Sequence, residues 1–294
     1  MINKEFNVPF LKYFTHVYQY GEIKQDSKVI ILLHGGPGGN SSFLRPLIDL
    51  TKIGYTVITY DQLGSPRSSA IKGQYNLFKT ETFVNELDNL ISKLNIKKFT
   101  LLGHSWGGML ALEFISNKKP KNLEKLILFS SLSSARVWNE SNKEIFLKLL
   151  KDHPKVKKHF LLAYQQADQV TINKIYKRYL RKYYRIKTNT SPYIRKKRRD
   201  GTGEEIYNYM WGKTDPIGLG TLKNWDVTPT LKMIKIPTLI LYGKFDQSTT
   251  KVNELMHHEI KNSKLVYLDK SGHSGFYNEY PKAMKAITTF LKQN

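Results

Sequence analysis

The stretch FTLLGHSWGGMLAL, residues 99–112, decides the fold, because it joins an apolar strand to a helix through glycines placed around one serine. Its first four residues are typical of a buried strand, and its last four begin an apolar helix. The glycines at positions 103 and 107 permit a sharp turn that Cβ atoms would block. This turn predicts that Ser105 presents its hydroxyl beyond the carboxyl end of the strand, as a nucleophile.

A second glycine-rich turn lies upstream. The buried-strand run VIILL at residues 29–33 leads directly into HGGPGG at residues 34–39. Such a turn can bring a backbone N–H close to a bound acyl group. We predict that the N–H of Gly36 and the N–H of Trp106 form a two-donor oxyanion hole, in which each donor contributes about 3 to 4 kcal/mol in the transition state.

An acid and a histidine follow the serine, each just beyond a further apolar strand. Asp246 follows the run at residues 238–242, and His273 follows the run at residues 265–268. The order serine, acid, histidine predicts that His273 takes the proton of Ser105 and passes it to the leaving group, while Asp246 orients the His273 imidazole. Asp269 is the alternative acid, but it precedes His273 by only four residues. We prefer Asp246.

Two other histidines also lie in glycine turns after strands. His34 and His104 flank the predicted donor turns, and both precede the acid in the sequence. We interpret them as residues that orient these turns.

Four motifs together are specific: HGGPGG at 34–39, YDQLGS at 60–65, GHSWGG at 103–108 and LKNWD at 222–226. On these motifs the chain resembles the prolyl aminopeptidases (proline iminopeptidases) of the α/β-hydrolase superfamily over almost its whole length. The resemblance implies an α/β-hydrolase fold and release of an N-terminal residue, often proline, through an acyl-enzyme, without metal or cofactor.

The resemblance also implies where a substrate amine binds. In the family, two glutamates hold the amine, one before the Trp-Asp motif and one directly after the triad acid. Here those places are occupied by Asp215 and Gln247. Because Gln247 is neutral, an esterase, lactonase or amidase that uses the same triad without amine selection is the main alternative. Asp215 could equally be a turn residue before Pro216.

Strand and helix patterns alternate along most of the chain, which favours a mostly parallel sheet flanked by helices. Between residues 131 and 225 the pattern is helical only. We therefore predict a core at residues 1–130 and 226–294, with an inserted helical cap at 131–225. Trp211 and other cap aromatics could line an apolar pocket suited to a proline ring, although aromatics at these spacings more often form the core of the cap; the others are Trp138, Tyr207 and Tyr209.

The formal charge of +23 is concentrated in the cap. Residues 136–200 hold nineteen lysines or arginines against five acidic residues. Basic stretches at residues 177–185 and 195–199 could bind nucleic acid or an anionic surface, which is the lower-ranked function. The same charge could steer anionic substrates toward the site, or simply be solvated surface.

The chain contains no cysteine, which excludes disulfides, a thiol nucleophile and cysteine metal sites. The adjacent pair His257 and His258 falls on a predicted helix, where neighbours point about 100° apart, so no metal site is predicted. No apolar leader or membrane span is evident, and we expect a cytoplasmic protein with a small peptide, amide or ester as its substrate. The sequence leaves the oligomeric state open.

Overall fold

The computed structural model describes residues 4–184 and 200–293. Its centre is an eight-stranded sheet with the order β1-β2-β4-β3-β5-β6-β7-β8, in which β2 is antiparallel to its two neighbours and the other pairs are parallel. The strands are β1 Lys4–Phe10, β2 Tyr13–Tyr20, β3 Lys28–Leu33, β4 Tyr55–Asp61, β5 Phe99–His104, β6 Leu123–Phe129, β7 Thr238–Gly243 and β8 Ser263–Leu268. The predicted α/β-hydrolase architecture is confirmed.

The two N-terminal strands were not predicted. β1 and β2 form an antiparallel hairpin, and β2 continues the sheet beside β4. Their buried residues alternate only loosely with exposed ones, and charged or polar residues and a proline interrupt the apolar pattern. An edge hairpin of this kind gives a weaker sequence signal than the continuous apolar runs of the central strands.

The order of the sheet reverses between β3 and β5. The chain runs from β3 outward to β4, and then returns to the other side of β3 to form β5. In open parallel sheets, ligands bind beyond the carboxyl ends of the strands at such a switch point. The two glycine turns identified in the sequence begin at the ends of β3 and β5, so the fold brings them together there.

Helices cover both faces of the sheet. Apolar side chains of α1, α2 and α8 pack on one face, and those of α9, α10 and a 3-10 segment at Ser41–Ile53 pack on the other. The helices are α1 Thr80–Lys93, α2 Trp106–Lys118, α3 Ala135–Leu149, α4 Pro154–Gln165, α5 Gln169–Ile175, α6 Arg181–Tyr184, α7 Thr202–Met210, α8 Thr250–Glu259, α9 Gly275–Asn278 and α10 Tyr280–Lys292.

The segment between β6 and β7 contains α3 to α7; it corresponds to the predicted cap and is called the cap. Phe146 and Phe160 lie at the centre of a separate apolar cluster in this segment, together with Ile172, Leu180 and Ile217. The cap thus has its own small core. Its helices depend on burial of one apolar side against each other, as expected for short amphipathic helices.

The Trp-Asp motif joins the cap to the sheet. The Trp225 carbonyl accepts from the N–H of Ala135, 2.9 Å away, where α3 begins. The Trp225 indole donates to the Glu113 carboxylate on α2 at 2.7 Å. Next to it, Ser134 Oγ donates to Asp226 Oδ2 at 3.0 Å. This motif fastens both ends of the cap to one helix of the core.

Candidate active site

Ser105 occupies the turn between β5 and α2 in a conformation that side chains rarely adopt. Its φ is 56° and its ψ is −122°. Positive φ at a non-glycine residue is strained, and such strain persists where the surroundings enforce it. Here the Ser105 N–H donates to the Phe129 carbonyl at the end of β6, 2.9 Å away. Ser105 is partly accessible, although its neighbours in the turn are buried.

The turn needs glycines at positions 103 and 107 because other backbone segments lie too close to leave room for a Cβ atom there. A Cβ atom on Gly107 would lie 2.1 Å from the Leu33 carbonyl oxygen, and one on Gly103 would lie 2.3 Å from the Gly107 carbonyl oxygen. Neither contact can be relieved by moving a flexible side chain. The start of α2 therefore lies directly against the end of β3.

His273 and Asp246 meet through a short hydrogen bond. His273 Nδ1 lies 2.7 Å from Asp246 Oδ1, and the N–H of Ser248 donates to the same oxygen at 2.8 Å. Because the carboxylate can only accept, His273 Nδ1 carries the hydrogen, and Nε2 is the unprotonated nitrogen of the neutral ring. About a quarter of the His273 side chain is accessible, at 27%, whereas the Asp246 side chain is fully buried.

The contact between His273 and Asp246 shifts the pKa of both residues. Burial raises the pKa of Asp246, but the charge of His273 and their hydrogen bond outweigh burial, so the pKa lies below its usual value. Burial lowers the pKa of His273, but Asp246 outweighs it and Asp215 adds to the same effect, so the pKa lies above its usual value. Both shifts stabilise an imidazolium beside a carboxylate.

His104 connects the serine turn to the histidine loop. Its Nε2 lies 2.7 Å from the His273 carbonyl oxygen, and the two imidazole rings are 4.9 Å apart. The carbonyl can only accept, so Nε2 of His104 carries the hydrogen. Burial is the main cause that lowers the pKa of His104 to about 3, and the ring stays neutral. The sequence predicts that His104 orients a donor turn, but in the structure it holds the His273 loop.

The HGGPGG turn lies against Ser105. A Cβ atom on Gly35 would be 3.2 Å from Ser105 Cβ. Gly36, the next residue, has a φ of 138°, which glycine adopts without strain. Trp106 is the first residue of α2, where a backbone N–H has no acceptor within the helix. Both residues predicted to donate to an oxyanion are therefore neighbours of Ser105, one along the chain and one across the turn.

Trp138 of the cap packs against His273, and Trp211 packs against Trp138. The Trp138 ring is 6.2 Å from the His273 ring and 5.6 Å from the Trp211 ring, edge to face in both cases. Trp211 Nε1 donates to the Asp215 carbonyl at 3.0 Å. Trp138 Nε1 is buried and has no hydrogen-bond partner within the part of the chain that the structure describes.

The predicted amine-binding residues also lie on this side. Asp215 is exposed, and its Oδ1 accepts from the Tyr207 hydroxyl at 2.5 Å. Gln247 is buried, and its Oε1 has no partner among residues 4–184 and 200–293. The Asn142 amide donates to the carbonyls of both Trp138 and Gln247, at 2.9 Å each. Asn142 thereby ties α3 to the loop of the acid.

Tyr209 and the basic stretch at residues 195–199 are two other predicted features of the cap. Tyr209 packs on Tyr75 and Phe78 of the core, with ring centroids 5.0 and 5.6 Å apart, and not on the tryptophans. The basic stretch at residues 195–199 lies outside the described residues.

Within residues 4–184 and 200–293, no group of three or more histidine, aspartate and glutamate side chains could hold a metal ion. The helices of this part of the chain are also too short or too polar to span a bilayer.

Comparison with known proteins agrees with this architecture. Residues 28–280 match the family model described as the alpha/beta hydrolase fold. A proline iminopeptidase of Lactobacillus helveticus is 32% identical over 294 residues, covering 99% of this chain and 98% of that protein. A proline iminopeptidase of Clostridioides difficile is 30% identical over 296 residues, covering 98% and 97%. The crystal structure of VinJ superposes with a TM-score of 0.84 at 27% identity, covering 99% of both chains.

The chain belongs to the proline iminopeptidase family of the α/β-hydrolases. Together with the fold, this membership makes it a hydrolase.

Proposed function

We propose that the protein is a serine aminopeptidase that releases an N-terminal proline, or another small or apolar residue, from peptides. The observation that carries the proposal is the 2.7 Å pair of His273 and Asp246, fixed by His104 to the strand end that carries the strained Ser105. The names of the family relatives support the choice of an aminopeptidase.

The proposed reaction has two halves. Ser105 Oγ attacks the carbonyl carbon of the N-terminal residue while His273 Nε2 takes the hydroxyl proton. The C–N bond then breaks, and the imidazolium gives that proton to the departing amine of the shortened peptide. A water molecule then attacks the acyl carbon while His273 takes its proton. The bond to Ser105 Oγ breaks, the imidazolium returns the proton to that oxygen, and the amino acid is released. Asp246 holds the imidazole and stabilises its cation in both halves.

The oxyanion of each tetrahedral intermediate would accept from the N–H groups of Gly36 and Trp106. Donors fixed in advance are most effective where charge develops only in the transition state, and each is worth about 3 to 4 kcal/mol. A cap over the site excludes water, which strengthens these interactions.

Amine recognition would come from Asp215 and Gln247. The substrate ammonium needs a counter-charge, which the exposed Asp215 carboxylate supplies, and a buried acceptor, which Gln247 Oε1 supplies. The edges of Trp138 and Trp211 would contact an apolar ring beside His273. The charge of Asp215 already acts on His273, so the carboxylate lies within electrostatic reach of the reacting group.

The second candidate is an esterase, lactonase or amidase with the same triad. Its support is Gln247, which is neutral where a second carboxylate would favour an amine.

The test is kcat/KM for a proline anilide with a free amine, for its N-acetylated counterpart and for a simple acyl ester. We expect preference for the free amine, and loss of all three activities in Ser105→Ala with an unchanged melting temperature. Equal or better turnover of the blocked anilide or the ester would favour the second candidate. Turnover that persists in Ser105→Ala would contradict both.

A further inference from the structure

Gln62 is a buried amide whose hydrogen-bond partners are His34, Trp106 and Ser65, and none of these is a predicted member of the triad. Its side-chain Nε2 donates to the His34 carbonyl at 3.1 Å, and its Oε1 accepts from Trp106 Nε1 at 2.8 Å. Its backbone N–H donates to His34 Nε2 at 3.0 Å, and its carbonyl accepts from the N–H of Ser65 at 2.8 Å.

The partners of Gln62 fix the orientation of the amide. The His34 carbonyl can only accept, and the Trp106 indole can only donate. A flipped amide would therefore lose both side-chain bonds. The sequence offered the motif around Gln62 but no role for this residue, because its bonds join three segments that are distant along the chain.

His34 extends the same network into the glycine turn. Because its Nε2 accepts from the backbone of Gln62, its Nδ1 carries the hydrogen, and this nitrogen lies 2.8 Å from the Gly35 carbonyl oxygen. His34 is fully buried, and burial lowers its pKa, so it stays neutral. Gly36, the predicted oxyanion donor, is the next residue.

The network therefore reaches both proposed donors. At one end, Gln62 bonds the indole of Trp106, whose backbone N–H is the first proposed donor. At the other end, His34 bonds the carbonyl of Gly35, which belongs to the same peptide group as the Gly36 N–H, the second proposed donor. Two N–H groups stabilise an oxyanion only if they converge on one point, and displacement by about 1 Å costs about a hundredfold in rate.

We propose that Gln62 is a positioning residue that sets the distance between the two oxyanion donors without contacting substrate. The proposal rests on the proposed function, because it needs Ser105 to react through an oxyanion hole. It predicts that removing the amide lowers the rate of reaction at Ser105 while substrate binding is retained.

The test is the rate of labelling of the full-length protein by a fluorophosphonate. Ser105 Oγ attacks phosphorus, the P–F bond breaks, fluoride leaves, and His273 takes the hydroxyl proton. This reaction uses the same oxyanion donors but does not depend on the natural substrate. The variant is Gln62→Met, which keeps side-chain size and the backbone N–H.

The matched control is Gln19→Met. Gln19 is also buried, and its amide donates to the Gly21 carbonyl at 2.8 Å, but it lies on β2 away from both donor turns. We expect labelling to fall about ten- to a hundredfold in Gln62→Met and less than threefold in Gln19→Met, with both proteins folded by their melting curves. With the anilide, kcat should fall while KM changes little.

A second pair of variants covers the case in which Gln62→Met does not fold. Trp106→Phe removes the indole donor and keeps the backbone N–H, and Gln62→Glu keeps an acceptor for that indole but, when ionised, cannot donate to His34. Each should slow labelling less than Gln62→Met. Labelling at the wild-type rate in Gln62→Met, or in both of these variants, would overturn the role of Gln62. Wild-type protein that is not labelled at Ser105 would instead overturn the proposed function.

Discussion

The two sides of the site differ in how their polar groups are paired. The donor side comprises the HGGPGG turn, Gln62 and Trp106, where the amide of Gln62 and both nitrogens of His34 are bonded within the protein. The amine side comprises Trp138, Trp211, Asp215 and Gln247. There Trp138 Nε1 and Gln247 Oε1 are buried without partners in the described part of the chain.

The difference separates two demands on an enzyme. Donors that act on a transition state must be rigid before substrate arrives, and internal hydrogen bonds provide this. Groups that select a substrate must be free to bond with it. A buried polar group without a partner is costly, so the site strongly prefers a substrate that forms a hydrogen bond with that group. We infer that the donor side controls the rate of the chemical step and that the amine side controls the choice of substrate.

The largest expected effect is on kcat, and it concerns the pair of His273 and Asp246, which acts with both the donor side and the amine side. Asp246→Asn should lower kcat by about ten thousandfold, because an amide no longer holds the imidazole in the productive tautomer. Loss of the carboxylate also lowers the pKa of His273, which Asp246 now raises. Neutral imidazole is the active base, so the acid limb of the residual pH profile should move to lower pH.

Asp269→Asn is the control for this prediction. Asp269 is the alternative acid, but it is exposed and paired with Lys282. Its substitution should leave kcat and the pH profile as they are. The opposite result, an inactive Asp269→Asn beside an active Asp246→Asn, would exchange the two assignments.

A smaller effect is expected on the amine side alone. Gln247→Glu adds a second carboxylate and should raise kcat/KM for the free-amine anilide about three- to tenfold, with the acyl ester unaffected. Gln247→Met, which removes the acceptor, should lower the same constant. Equal values in wild type and both variants would remove Gln247 from the amine site.

The smallest effect concerns stability beneath the donor side. Glu86 on α1 is buried and accepts from the Leu63 N–H at 2.9 Å, next to Gln62. Burial raises its pKa to about 8, so the folded state holds a proton that the unfolded chain releases near pH 4.5. Stability should therefore fall as pH rises between these values, by at most about 1.4 kcal/mol per pH unit from this group.

Glu86→Gln should weaken this pH dependence of stability. The melting temperature of the variant minus that of wild type should therefore increase between pH 5 and pH 8.5. The control is Glu81→Gln on the same helix, because the Glu81 side chain is exposed at 69%. Parallel melting curves for wild type and Glu86→Gln across this range would show that Glu86 is ionised in the folded protein.

The sequence predicted the elements whose signals are local. The strand runs identified at residues 29–33, 99–102, 238–242 and 265–268 are mostly apolar, and the serine turn is defined by glycines two residues either side of Ser105. The antiparallel hairpin of β1 and β2 was missed because its apolar pattern is interrupted. The position of the acid and histidine after their strands also followed from local patterns and their order.

Contacts between distant segments could not be predicted. Gln62 bonds to residues at positions 34 and 106, and His104 bonds to the backbone of His273 across 169 positions. Only the folded sheet places these groups together. The same holds for the tie of Asn142 to Gln247, and for the placement of Tyr209 against the core rather than beside the cap tryptophans.

The most direct test of the comparison is the effect of Asp215→Asn on substrate preference. The measurement is the ratio of kcat/KM for the free-amine proline anilide to that for the acyl ester, in wild type and variant. We expect the ratio to fall about ten- to a hundredfold with ester turnover unchanged, because a charged hydrogen bond to the amine contributes about 1.5 to 3 kcal/mol. An equal loss with both substrates, or an unchanged ratio, would contradict the division between a donor side and an amine side.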